Sequence, residues 1–217
     1  MAFASERPVP LASSRLGGEM AERSFDFGRN SATANIAMAR AALVNDNCNR
    51  MEVYSRRAAE LNMLEPDNVG LVGSFMLACG EYDAAEYYLG RAVAYDPETS
   101  MIQQASMIFL KLLRDDPRGA MQIVERVDLS GQDVPPNLLM AVAVAYAENG
   151  RMDEARRHWL RLTRTLDVPL DSKPEAIVAR FAPSRTLTKA IVARLWSSGI
   201  TPTAQWPKEA RRAQAAD

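Results

Sequence analysis

Apolar positions in the middle of the chain recur at helical spacing, in segments that come two by two. GEYDAAEYYLGRAVAYDP (80–97) and GRMDEARRHWLRLTRTLD (150–167) each open on Gly, with a large residue two places on (Tyr82, Met152) and then an acid (Asp83, Asp153). A small residue follows on the apolar stripe (Ala85, Ala155), with a bulky one four later (Leu89, Trp159). This spacing predicts amphipathic helices. Upstream of each Gly lies a second apolar helix, LVGSFMLAC or LLMAVAVAYAEN, with a small residue seven places before the Gly (Gly73, Ala143) and a large one four before it (Met76, Tyr146). Neither helix of such a pair is long or apolar enough to stand alone in water.

The pairs repeat. Ala120 falls 35 residues after Ala85 and 35 before Ala155, while Asp46 precedes Gly80, and Ala58 precedes Ala92, by 34. Four helix–turn–helix units therefore fit into 31–167, at about 31–64, 65–98, 99–133 and 134–167. Small residues at the contact let paired helices approach, and each unit leaves an apolar face that only its neighbour can cover. Asp116-Pro117 reads as a helix cap followed by a first-turn proline. Pro135-Pro136 opens the fourth unit's first helix, Asn149-Gly150 turns out of it, and Asp153 and Arg157 are spaced to pair on the next. After 167 the period stops. Ser172 to Glu175 has the form of a capping box and predicts a short helix to about Phe181. A second helix, about 184–197, puts Leu187, Ala190, Ile191 and Leu195 on one stripe. Together 172–198 is expected to cap the last unit's open face. Residues 1–30 and 199–217 show little periodicity and read as a mobile arm and tail.

On these residues the chain resembles the tetratricopeptide-repeat (TPR) family. The second unit carries the pattern as Val69, Val72-Gly73, Met76, Gly80, Ala85, Leu89, Ala92 and Pro97; the fourth carries it as Leu139, Val142-Ala143, Tyr146, Gly150, Ala155, Trp159 and Leu162. The first and third depart from it, with Met63 in place of the closing Pro and Lys111 in place of an aromatic. The resemblance implies an all-α fold, a right-handed α-solenoid of about four repeats with a C-terminal helical cap. The stretch AIVARFAPSRTLTKAIVARLWSSGI is similar to the cap that follows such repeats in some large bacterial signalling proteins.

Composition narrows the class. Apolar residues are 47% of the 217, enough for a sizeable core, and charged residues are 24%. No stretch of about 18 apolar residues occurs, so no membrane span is expected. The first thirty residues lack the apolar run of a secretory signal, and Cys48 and Cys79 show no CxxC, so both read as separate thiols in a reducing, cytoplasmic setting. Charge is uneven. Residues 1–150 hold 13 Lys and Arg against 20 Asp and Glu, net −7, while 151–217 hold 13 against 7, net +6. The basic residues are scattered rather than blocked, which predicts a solvated face more than a nucleic-acid site. Arg outnumbers Lys 22 to 4, a composition that suits a GC-rich bacterial genome.

Candidate chemistry is sparse. His158 is the only histidine and reads as an exposed helix residue, so no zinc site is expected. Asp115 and Asp116 are explained by the helix cap beside Pro117. No dinucleotide fingerprint, P-loop or G-x-S-x-G is present, so neither a cofactor nor an enzyme activity is expected.

What remains is surface. The resemblance implies that the first helix of each pair lines a concave, partner-binding groove. Its lining would be Ile36, Arg40 and Leu43; Gly70, Ser74 and Leu77; Ala105, Phe109 and Leu112; and Met140, Val144 and Ala147. That mostly apolar strip suits an amphipathic helix or an extended peptide. With Arg40 and Asn137 alone, it does not suit a clamp for acidic C-termini. The expected function is a protein–protein interaction module: an adaptor, assembly factor or chaperone-like binder. The alternatives are a free-standing regulatory module for a separately encoded enzyme or transcription factor, and nucleic-acid binding through the basic last third. Coverage of the strip by the terminal arm or a second copy is the competing structural outcome.

Overall fold

A computed structural model describes residues 11–131 and 133–200. All regular structure among them is helical: α1 (Leu11–Phe27), α2 (Ala32–Val44), α3 (Cys48–Leu61), α4 (Pro66–Ala78), α5 (Tyr82–Tyr95), α6 (Met101–Leu113), α7 (Pro117–Val124), α8 (Pro136–Glu148), α9 (Met152–Thr165), α10 (Pro174–Val178) and α11 (Arg185–Ser198). The all-α reading holds. The helices fall into two compact units that divide between Glu98 and Thr99.

In the first unit α2 pairs with α3 and α4 with α5, and α4 packs on both helices of the pair before it. Ser31 and Asn47 cap α2 and α3, their side-chain oxygens accepting from the N–H groups of Ala34 (3.4 Å) and Arg50 (3.0 Å). Buried Met38, Met51, Val69, Val72, Met76, Ala85, Leu89 and Ala92 form the core. α4 and α5 approach closely at Gly73, where an added Cβ would lie 2.7 Å from Leu89 Cγ and 2.9 Å from the Leu89 backbone nitrogen.

The sequence period reappears in the backbone. Asp46, Gly80, Asp115 and Gly150 each follow the first helix of a pair, at φ of 56°, 85°, 57° and 76°. A left-handed residue turns the chain tightly from one helix into the next, and Asp tolerates that conformation better than most residues with a Cβ.

Three expectations are corrected here. Residues 1–30 were expected to form a mobile arm. Instead Leu11–Phe27 is helical and packs on α2, with Phe25 edge-on to Tyr54 of α3 at 5.3 Å between ring centroids. Cys48 and Cys79 are not separate thiols but a disulfide, with 5.7 Å between their Cα atoms. The stacking of α4 on α3 causes this, because it lays the first residue of α3 beside the residue that closes α4. The Ser172–Glu175 capping box is not used. Lys173 stands at the cap position without a side-chain bond, and Pro174 starts a helix of only five residues.

In the second unit α6 pairs with α7 and α8 with α9, and α8 packs on α6 and α7. Asp116 caps α7 as expected, its carboxylate accepting from the Gly119 N–H at 2.8 Å. α7 is short, 8 residues against 14 in α9. The chain beyond it is held from outside: Arg161 of α9 donates to the carbonyl of Leu129 at 2.5 Å and to that of Gly131. Ser184 caps α11 by accepting from the Leu187 N–H (3.1 Å), and Gly199 ends it at φ 69°. α11 packs on α10, α8 and α6. Residues 1–10 of the expected arm, and 201–217 of the expected tail, lie outside the described residues.

Candidate interaction face

The first helices of the pairs carry the strip singled out in the sequence. In the first unit Arg40 of α2 is exposed, Ile36 is half-buried and Leu43 is buried. On α4 Ser74 is half-buried, its hydroxyl donating to the Gly70 carbonyl at 2.9 Å, while Gly70 and Leu77 are buried. The accessible strip residues here are therefore mixed: aliphatic Ile36, the Arg40 guanidinium and the Ser74 hydroxyl.

In the second unit all six strip residues are buried: Ala105, Phe109 and Leu112 on α6, and Met140, Val144 and Ala147 on α8. The reason is the neighbourhood of α8, which has α6, α7, α9 and α11 packed around it. The second helix of the segment expected to cap the last unit, α11, packs on the first helices of both pairs of this unit, α6 and α8.

The seat of α11 has an ionic edge. Arg194 pairs with Glu148 in the last turn of α8 (3.5 Å) and with Asp115, the left-handed residue after α6. Burial raises the proton affinity of Glu148, Arg194 works against that, and Asp115 adds to it. Sequence reasoning missed this triad, since Asp115 and Arg194 lie 79 residues apart.

The basic face expected on α9 is largely engaged. Arg151 pairs with Glu154 at 2.7 Å, and Arg161 holds the two loop carbonyls. Asp153 pairs with Arg156 at 3.6 Å, three residues on rather than the four expected. His158 is not the exposed residue expected. It is half-buried and stacks on Tyr146 of α8, with ring centroids 5.3 Å apart and 4° between planes. Desolvation lowers its proton affinity, helped by Arg161 and Arg157. Arg151 lies over the same Tyr146 ring, 4.7 Å from its centroid. Among the described residues no group of three or more His, Cys, Asp or Glu could hold a metal ion, and no helix is long and apolar enough to cross a membrane.

Helix pairs turned on left-handed residues, with the first helix of one pair packed on both helices of the last, define a TPR-like fold. Among solved structures the chain is similar to YrrB, a TPR protein described as having an unusual peptide-binding site, with a TM-score of 0.54 and 14% identity, covering 85% of this chain and 96% of that one. It is also similar to a chain in the structure of Naa15/Naa10 bound to HypK-THB, with a TM-score of 0.46 and 15% identity, covering 86% of this chain and 32% of that one. No protein-family model matches the sequence, and no curated protein matches it either.

Proposed function

We propose that the protein is a protein–protein interaction module without catalysis of its own, binding a partner segment on the faces made by the first helices of its pairs. The observation that carries this reading is that Ile36 and Arg40 on α2 and Ser74 on α4, the first helices of two pairs packed on each other, stay accessible. A face that offers one aliphatic contact, one exposed guanidinium and one hydroxyl suits a short peptide bearing an apolar side chain and a carboxylate. The peptide-binding site described for YrrB adds support by analogy of fold. Nucleic-acid binding through the last third is less well supported, because Arg151, Arg156 and Arg161 already have partners.

The test is crosslinking in the native cell followed by mass spectrometry, repeated with Ile36→Glu and Arg40→Glu. Loss of the crosslinked partner with an unchanged melting temperature supports the reading. Retention of every partner by both variants removes it. The expected cytoplasmic setting is tested separately, since a closed Cys48–Cys79 bond persists in oxidising compartments. Alkylation of the protein in intact cells should find both thiols free if the cytoplasmic reading is right.

A further inference from the structure

We propose that the α6–α8 face is a binding site for a basic amphipathic helix supplied by a partner, and that α11 is its resident competitor. The proposal rests on the interaction reading above and specifies the ligand chemistry at one face. α11 packs on α10, α8 and α6, and Leu187, Ile191 and Leu195 are buried at intervals of four, the spacing of one helical stripe. Its opposite side is polar or exposed, including Arg185, Lys189 and Trp196. The seat therefore already holds one amphipathic helix by one face.

The ionic edge sets the sign of the guest. Glu148 and Asp115 converge on one guanidinium, and the Glu148 side chain is only 12% exposed. Two carboxylates this close, one of them mostly desolvated, are costly without a cation between them. A helix that replaces α11 must therefore bring Arg or Lys immediately before its large apolar residue, as Arg194 precedes Leu195. α11 buries three large apolar side chains, whereas α8 buries nine residues. Its link to α9 is 166–184, with one five-residue helix on the way. The tether favours α11 by effective concentration, and α10 packs on it as well, so a guest must match its chemistry.

The probe is a synthetic peptide of residues 184–199 carrying Trp196→Phe, distinguishable by mass from the chain's own helix. Added in excess to the full wild-type chain, it should speed hydrogen exchange of 185–198 while α6 and α8 stay protected. Arg194→Glu in the full chain should bind the peptide roughly tenfold more tightly than wild type, because the resident no longer fills the site. A chain bearing Glu148→Arg should prefer a peptide bearing Arg194→Glu over the unmodified one, a reversal that a merely structural contact would not produce. The proposal is overturned if exchange of α11 is as slow as that of α8 and indifferent to peptide, or if Glu148→Arg leaves the preference unchanged. It is equally overturned if Arg194→Glu dimerises in sedimentation and excludes the peptide, which would assign the seat to a second copy. Should Arg194→Glu unfold, the wild-type exchange result decides alone. A native partner lost with Ile36→Glu but retained by Arg194→Glu and Glu148→Arg would leave the general reading standing without this site, whereas failure to find any native partner leaves the peptide result untouched.

Discussion

Cys79 and Asn149 occupy the same place in their helix pairs: each closes the first helix and reaches back to the opening residue of the preceding pair's second helix. Cys79 does so through the disulfide to Cys48, and Asn149 through a 2.8 Å hydrogen bond from its amide to the Pro117 carbonyl. One junction is covalent and the other polar, and they should differ in strength.

Reduction is expected to destabilise the first unit by about 3–4 kcal/mol, the loop-closure value for a cross-link spanning 31 residues. Denaturant unfolding with and without reductant measures it, and Cys48→Ser with Cys79→Ser should reproduce the reduced value. A difference of less than about 1 kcal/mol would mean that the helix stack holds this junction without the bond.

Asn149→Ala removes the bond to Pro117 and a second one, 2.8 Å, to the Ala145 carbonyl. Net loss should be about 1–2 kcal/mol, since both carbonyls are part-buried. Hydrogen exchange should show the effect at α7 first. Uniform loosening of α8 and α9 instead would argue that the side chain acts only as a helix cap.

Gly73→Ala sets two effects against each other. Helix propensity favours Ala by about 1 kcal/mol. The new Cβ, however, would sit 2.9 Å from a backbone atom of Leu89, which cannot step aside as a rotamer can. Overpacking should win, for a net loss of about 1–2 kcal/mol, read from urea unfolding. A stabilised Gly73→Ala would show that α4 and α5 slide apart at little cost.

His158 makes stability depend on pH. Its proton affinity is lower in the folded chain than in the unfolded one, so the unfolded state binds more protons as the solution acidifies. Its contribution is present above the ordinary histidine value of about 6.5 and is lost as pH falls through the lower folded value. Comparing wild type with His158→Gln at pH 7 and pH 5 should find the wild-type advantage smaller at pH 5. Equal advantage at both would show that the stack on Tyr146 does not exclude water.

What could be read along the chain was whatever neighbours in sequence decide. Gly80 and Gly150 mark turns, Ala85 and Ala155 mark close contacts, and Asp116 caps the helix it precedes, all from local spacing. The disulfide could not be read this way, because it depends on how α4 slides along α3. The same holds for α11: its stripe of Leu187, Ile191 and Leu195 announces a buried face without saying which helices bury it. His158 was misjudged because the ring that shelters it, Tyr146, stands on a different helix. α1 is hard to read because Gly17 and Gly18 interrupt a segment in which polar and apolar residues are nearly balanced.

The brevity of α7 makes its pair a late arrival during synthesis. Two turns of helix end at Val124, and the stretch that follows is fastened by a guanidinium that leaves the ribosome about thirty residues later. A nascent chain halted before Arg161 emerges should be cut by protease near Leu129, and one released beyond Thr165 should resist.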